Sequence, residues 1–520
     1  MAGPLVLIGF MGSGKTTLGR RLAAHRGVEH VDTDALVEQR LGAPIAEVFE
    51  RDGEAAFRRA EEQVVLEQLA AGGDRVISLG GGAVLSEAVR TALEGMVVVA
   101  LDVDVETAWE RATADGAADR PLARDRDAFA RLHAERAALY DELARAVLPQ
   151  ADPDVIVRAD GALRVLEAAP PGTRMVWASA ASGEYPVYVG AGVLGLDISG
   201  LPKLGGRGVV VTDSAVSEHH LGKVRSPSGV VEIPPGEEHK TLETAERVWR
   251  SLVAQGVTRS DHLIALGGGV VGDLAGFCAG CFQRGIPVVQ APTTVVAQVD
   301  SAYGGKTGVD LPEAKNYVGV YHQPSAVLAD TSTLATLPRK EFAAGYAEVL
   351  KTALIAGGRL WERVAAGEPL DDDMILACAR TKLAIVAADE RDSGRRQVLN
   401  LGHTVGHALE TTLGYGTLRH GEAVGLGMLA ALRLSGLEGL RDQVAELLAA
   451  HELPTSLPEV DVDAVVAAVA RDKKRVGSGP TPFVLVRAPG EVVEGQPVEE
   501  GALRAAVAEL AATTRSEGHR

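Results

Sequence analysis

The chain has 520 residues, more than one ordinary core holds, so several domains are expected. A hydrophobic share of 46% with 4% aromatics and 60 glycines describes an Ala/Val/Leu-rich α/β enzyme and excludes a disordered or fibrous chain. A net charge of −18 argues against nucleic acid or an anionic membrane as the main partner, no apolar run is long enough to span a bilayer, and three cysteines cannot build a disulfide framework, so a cytoplasmic protein is expected. The chain opens on a short apolar strand, PLVLIGF, followed at once by GFMGSGKTT and the helical LGRRLAAHRG. This is a P-loop, G-x-x-x-x-G-K-T, in its required strand–loop–helix setting. Backbone amides of Gly12, Ser13, Gly14, Thr16 and Thr17 at the helix N-terminus would cradle phosphates. Lys15 would reach the β/γ-phosphates and Thr16 would ligate Mg2+. A P-loop does not name its acceptor.

The acceptor is read further on. HVDTDALVEQ puts Asp32 and Asp34 at the end of a second strand. This D-x-D, the F-x-x-x-G-E-x-x-F-R-x-x-E run over 49–61, SLGGGAV from Ser78, Arg120-Pro121-Leu122, and Arg136 with Tyr140 together resemble shikimate kinase across almost the whole of residues 1–165. The resemblance implies a P-loop kinase parallel sheet and ATP with Mg2+. It also implies that shikimate is bound by Asp34, Arg58, Gly80, Gly81, Gly82 and Arg136, with the arginines gripping its carboxylate. Asp34 would receive the hydroxyl proton, Asp32 would act on Mg2+ through water, Arg120 on a lid would stabilise the transferring phosphoryl, and Arg111 would lie near adenine. Two departures touch the lid: ATADGAAD before Arg120 is about two residues longer than the family pattern leads one to expect, and RPLA replaces RPLL.

Pro170-Pro171-Gly172 marks a boundary, with 166–178 read as linker and 179–520 as a second module. DHLIALGGGVVGDLAGFCAG gives strand, glycine triplet and helix, a backbone suited to close approach of a pyrophosphate. Cys278 and Cys281 form a C-x-x-C that reads as packing in a small-residue helix. Further on, RRQVLNLGHTVGHALETTLGYGTLRHGEAV sets His403 and His407 four apart in an apolar-periodic run, hence on one helix face, with His420 after a glycine-rich turn. Two imidazoles and a carboxylate, for which Glu348 is the candidate, can hold a catalytic divalent metal with one position open. Lys351, Lys382, Arg396 and Asn400 are polar groups set in apolar segments, where burial without partners is costly.

PPGEEHKTL, GGGVVGD, FQRG, PTT, QVDSAYGGKTGVD, AKN, YHQP, AEVLK, AADERDSG, NLGHTVGHALE, HGEAV and RDKK, in this order, resemble 3-dehydroquinate synthase over about 185–474. The resemblance implies a Rossmann-like α/β dinucleotide-binding part (179–335) followed by a mainly helical metal-binding part (336–520). NAD would contact Asp213, Glu237, Lys240, Gly268, Gly269, Asp273, Thr293, Thr294, Lys315 and Thr336. Zn2+ or Co2+ would be held by Glu348, His403 and His420. His407 would stay off the metal, near the substrate phosphate, and act in catalysis with Lys351 and Arg284. Asp300, Lys306, Asn316, Lys382, Arg396, Asn400 and Lys473 or Lys474 would complete the site for the doubly anionic 3-deoxy-arabino-heptulosonate 7-phosphate. Homodimerisation through this module is implied as well. A related sugar-phosphate cyclase and a metal-dependent polyol dehydrogenase stay open as alternatives. Ala302, Tyr303 and Ala314 depart from the family pattern, the first two beside Lys306, where they could reshape a pocket wall. SEGHR reads as a frayed tail.

Overall fold

The computed structural model describes residues 3–114, 121–149, 152–414, 416–476 and 482–511. Arg120, most of the stretch before it and the C-terminal tail therefore lie outside the described residues, as do the side chains of Lys473 and Lys474. The chain forms two compact units, Met1–Ser179 with Glu184–Gly205, and Ala180–Gly183 with Gly206–Arg520.

The first unit is built on β1 (Leu5–Ile8), whose four residues are all buried, as a continuous apolar run must be in a parallel sheet covered on both faces. Around it lie β2 (Glu29–Asp32), β3 (Arg75–Ser78), β4 (Val97–Asp102), β5 (Ala146–Pro149), β6 (Arg174–Ala180) and β7 (Gly183–Val189), in the order β2-β3-β1-β4-β5-β6-β7. The pairs from β2 through β6 are all parallel. Helix α1 (Lys15–Arg26) leaves the P-loop from Gly14, whose φ of 85° favours glycine. Helix α2 (Thr33–Leu41) is capped by Asp32, which accepts from the amides of Asp34 and Ala35. Helices α3 (Glu54–Ala70) and α4 (Arg126–Leu143) bring Arg58 and Arg136. The segment read as linker is ordered structure: a helix ends at Glu167, Thr173 donates to the Pro170 carbonyl in a turn, and β6 pairs with β5 at Ala146↔Met175. The apolar Met175–Ala178 stretch is buried, which is why β6 extends the first unit's sheet instead of standing free of it.

In the second unit β8 (Gly208–Asp213), β9 (Gly229–Ile233), β10 (His262–Gly267), β11 (Val288–Pro292) and β14 (Ala326–Ala329) run in the order β14-β11-β10-β8-β9, all parallel. Between β11 and β14 the chain makes an antiparallel hairpin, β12 (Lys306–Leu311) and β13 (Ala314–Tyr321), packed along α5 (Gly269–Cys281). Helices follow: α6 (Arg339–Ala356), α7 (Asp372–Ala388), α8 (His403–Leu413) and α9 (His420–Leu434). The parallel sheet followed by a helical part matches the expected fold class.

Glycines set how closely these last helices meet. A Cβ on Gly421 would lie 1.8 Å from the Ala344 carbonyl oxygen, and one on Gly427 would lie 1.9 Å from that of Gly402. Glycine inside a helix costs about 1 kcal/mol relative to alanine, so its presence here is explained by backbone contact between helices. That contact brings the first turn of α9 to the middle of α6. Gly421→Ala should therefore destabilise the second unit by about 1–3 kcal/mol through overpacking. It should also weaken divalent-metal uptake, measured by chelator competition, because His420 is the neighbouring residue.

Candidate active sites

In the first unit, the P-loop, the end of β2 and the glycine turn after β3 converge. Lys15 Nζ donates to the carbonyls of Gly9 and Phe10 at 2.8 and 3.0 Å, which keeps the ammonium over the loop. Thr16 Oγ1 donates to Asp32 Oδ2 at 2.7 Å, joining the two groups expected at Mg2+. Gly12 (φ 80°) has room only for hydrogen, since a Cβ would stand 2.6 Å from the Ala108 carbonyl oxygen. Ser13 is buried with no hydrogen-bond partner for its hydroxyl among the described residues, Thr17 is exposed, and Arg111 reaches the Gly12 carbonyl at 3.5 Å.

The acceptor side is formed by Asp34, Arg58, Arg136 and residues 80–82. Cβ atoms on Gly80 and Gly82 would lie 2.4 Å from Asp34 Oδ1 and 2.0 Å from Arg58 Nη1, so these glycines leave the space those side chains use. Arg136 and Tyr140 both donate to the Gly81 carbonyl, at 3.3 and 2.6 Å. Glu61 was not foreseen as part of the site; it is buried and accepts from Arg58 Nη1 at 2.6 Å, fixing that guanidinium from one turn along α3. Its place three residues after Arg58, within the same run, was the signal available in the sequence.

Burial pushes the Asp34 carboxyl up to about 6, against the pull of Lys15, with Asp32 and Glu61 adding to the rise. A raised carboxyl pKa in the folded state means that Asp34 favours folding below its unfolded pKa and that this contribution is lost as pH rises through about 6. Asp34→Asn should thus raise the melting temperature at neutral pH, by up to about 3 kcal/mol in stability, with the advantage gone below about pH 4. The same variant should lose kinase turnover. A melting series against pH checks the first point, and an assay of ADP formation checks the second.

In the second unit, Glu348 and Lys351 lie in the buried middle of α6. His403 opens α8 and His420 opens α9; their Nε2 atoms stand 3.8 and 3.5 Å from Glu348 Oε1. One ligand atom from each of the three lies within 4.8 Å of the others. Glu348 is 1% exposed, with the Lys351 ammonium 2.5 Å from one of its oxygens. Burial alone would raise its pKa, but Lys351 and the two histidines outweigh that and hold it at about 2. Burial, with Lys351, keeps His403 neutral, its pKa down at about 3. For His420 burial is outweighed by Glu348 and Glu410, and its pKa rises to about 9. A buried carboxylate with Lys351 on one oxygen and the His403 and His420 rings 3.8 and 3.5 Å from the other fits a divalent cation.

Next to this triad Asp300 is paired with both Lys351, at 2.9 Å, and Lys382. Arg396 is buried and donates to the carbonyls of Glu390 and Gly304 at 2.5 and 3.0 Å. Lys306, half exposed, pairs with Asp392. Lys240 gathers Asn316, Glu237, Asp273 and Asp310 at 2.8, 2.9, 3.4 and 3.7 Å. Asp310 is a member that the sequence did not single out. Asn400 is exposed. Arg284, on the turn beyond the far end of α5 from the glycine triplet, has a left-handed φ of 70° and no hydrogen bond or ion pair among the described residues. Tyr303 does not line a pocket wall: it is 1% exposed and its hydroxyl donates to the Gln298 carbonyl.

The carboxyl ends of the parallel strands carry the remaining residues. Asp213 ends β8 and caps the next helix, and Gly267 ends β10, with Gly268 and Gly269 leading into α5. Thr293 and Thr294 follow β11. Thr336 pairs with His220 at 2.8 Å. A Cβ on Gly268 would meet Thr294 at 3.0 Å, and the Thr293 hydroxyl is buried without a hydrogen-bond partner among the described residues. A glycine turn at a helix N-terminus beside an unpartnered hydroxyl, on the carboxyl edge of a parallel sheet, fits a dinucleotide.

Both parts of the chain match known families. Residues 11–165 match the shikimate kinase family model. Residues 230–344 and 345–475 match the N-terminal and C-terminal models of 3-dehydroquinate synthase. A 3-dehydroquinate synthase of Methylococcus capsulatus is 44% identical over 345 residues, covering 62% of this chain and 95% of the relative. One from Halorhodospira halophila is 42% identical over 338 residues, with the same coverage. Among solved structures, the 2-epi-5-epi-valiolone synthase ValA of Streptomyces hygroscopicus, with NAD+ and Zn2+ bound, is similar at 27% identity and a TM-score of 0.54, covering 59% of this chain and 91% of that one. The chain belongs to the 3-dehydroquinate synthase family and carries a shikimate kinase module ahead of the synthase, two enzymes of the shikimate pathway in one polypeptide.

Proposed function

We propose that the first unit transfers a phosphoryl group from ATP to shikimate, and that the second converts 3-deoxy-arabino-heptulosonate 7-phosphate to 3-dehydroquinate and phosphate. In the first unit Lys15 and the amides of residues 12–17 would hold the ATP phosphates, and Thr16 with Asp32 would hold Mg2+. Arg58 and Arg136 would grip the shikimate carboxylate, and Asp34 would take the hydroxyl proton, its raised pKa suiting a base near neutrality. Glu61 would fix Arg58 for that grip.

In the second unit Glu348, His403 and His420 would hold Zn2+ or Co2+, and the glycine turn with Asp213, Lys240, Asp273, Thr293, Thr294 and Thr336 would hold NAD. When bound, the dinucleotide would take a hydride from a carbinol carbon and later return it while the ion polarised the hydroxyl oxygen on that carbon, so no net redox would result. Lys351, Lys382, Lys306 and Arg396 would pair the substrate's carboxylate and phosphate, and exposed His407 would stay off the metal to meet the leaving phosphate. The observation that carries this reading is the buried row Glu348–Lys351–Asp300–Lys382 beside the histidines. Asp300 gathers Lys351 and Lys382 at one place, and with Lys306 and Arg396 these cations suit a polyanion better than a neutral polyol, which offers them no charge. We place the protein in the cytoplasm and expect a homodimer through the second unit; among the described residues no helix is long and apolar enough to cross a membrane.

The test is phosphate release from the heptulosonate with NAD present. Release without accumulating NADH is expected. Stoichiometric NADH from a polyol would overturn the reading in favour of a dehydrogenase, and equal turnover of a sugar 7-phosphate lacking the carboxylate would favour a related cyclase.

A further inference from the structure

We propose that Glu410 is a positioning residue for the metal site: its carboxylate holds the Nδ1 side of His420, so that Nε2 faces Glu348 and His403. The inference rests on the reading of Glu348, His403 and His420 as the metal ligands.

Glu410 lies on α8 at seven residues from His403 and three from His407, a spacing that keeps all three on one face. It is 4% exposed, an uncommon place for a carboxylate, which is costly to bury without partners. Two partners are present. Its Oε1 lies 3.7 Å from His420 Nδ1 and 3.4 Å from the Lys315 ammonium. The other nitrogen of the same ring, His420 Nε2, lies 3.5 Å from Glu348 Oε1. The two ring nitrogens thus face two different buried carboxylates.

A neutral imidazole that ligates a metal uses one nitrogen as lone-pair donor and carries its proton on the other, and an acceptor on the protonated side selects that tautomer and fixes the ring plane. His420 needs such an acceptor more than His403 does. The His403 Nδ1 already lies 3.2 Å from the Leu401 carbonyl, just ahead of α8, whereas the His420 side chain is 41% exposed. Glu410 supplies the acceptor from the neighbouring helix, and Lys315 keeps that carboxylate charged and in place. A competing assignment exists on the same residues, because one ligand atom each from His407, Glu410 and His420 also fall within 4.8 Å of one another, which would make Glu410 a ligand itself.

The experiment is titration of the metal-free full-length chain with Co2+ against a chromophoric chelator, for the unaltered protein, Glu410→Gln and Glu410→Leu. Leu removes the acceptor and should raise the Co2+ dissociation constant about 10–100-fold. Gln keeps an acceptor for the Nδ1 proton and should lose less. The visible spectrum of bound Co2+ should keep its shape in both, since the ligands are unchanged. Should the Leu variant unfold, Glu410→Ala, which also removes the acceptor, is read in its place, and Co2+ binding by that variant as tight as by the unaltered chain would overturn the proposal. Unchanged affinity in a folded Leu variant would also overturn it, as would a changed Co2+ spectrum, which would make Glu410 a ligand. If the unaltered chain takes up no Co2+, the metal reading itself falls, an outcome distinct from a failure confined to Glu410.

Discussion

His403→Ala is expected to lower phosphate release from the heptulosonate by roughly a thousandfold or more, about 4 kcal/mol in barrier, while leaving phosphoryl transfer to shikimate within about twofold. His403 stands 3.8 Å from the buried Glu348 and is held neutral by burial, so it offers a lone pair to a cation without first losing a proton. Alanine leaves Glu348 facing one imidazole only. The kinase should be spared because every described side chain assigned to it lies between residues 13 and 136, in the other compact unit. Steady-state assays of both reactions on the one variant, after its melting is shown to be native-like, check this. A kinase loss of tenfold or more would mean that the two sites are energetically coupled.

Lys15→Ala should do the reverse, cutting phosphoryl transfer by about a thousandfold with phosphate release unchanged. The ammonium sits over the loop through the Gly9 and Phe10 carbonyls, both exposed to competition by a phosphate carrying more charge. Removing it takes away the positive charge nearest the transferring group. Folding should survive, since Lys15 is only partly buried and the loop keeps its glycine turns at Gly12 and Gly14. ADP formation with saturating shikimate, compared with phosphate release on the same preparation, reads both effects.

Both sites were legible where the chemistry is written in local runs. The P-loop, the D-x-D and the histidine pair each depend on spacing within one strand–loop–helix unit or one helix face, so the sequence states them directly. What the sequence did not state was which groups meet across elements. Glu410 is hidden in the same run as His403 and His407, because a carboxylate on a helix reads as solvated until a neighbouring helix covers it. Asp310 becomes part of the Lys240 cluster only when the β12–β13 hairpin folds over α5. Gly421 and Gly427 are points of backbone contact between helices, which their places in the sequence do not show. The boundary between modules is read at a Pro-Pro-Gly turn, whereas the compact units divide later, with Glu184–Gly205 in the first. The strand after the turn pairs with β5, a parallel register that nothing in a single sequence announces.

Two separate active sites in one chain are tested most directly by stripping the full-length protein with a chelator, removing the chelator, and assaying both reactions with Mg2+ and NAD supplied. Phosphoryl transfer to shikimate should be intact, phosphate release from the heptulosonate should be absent, and added Co2+ or Zn2+ should restore the second without altering the first. Phosphate release that survives stripping, or loss of both reactions together, would contradict it.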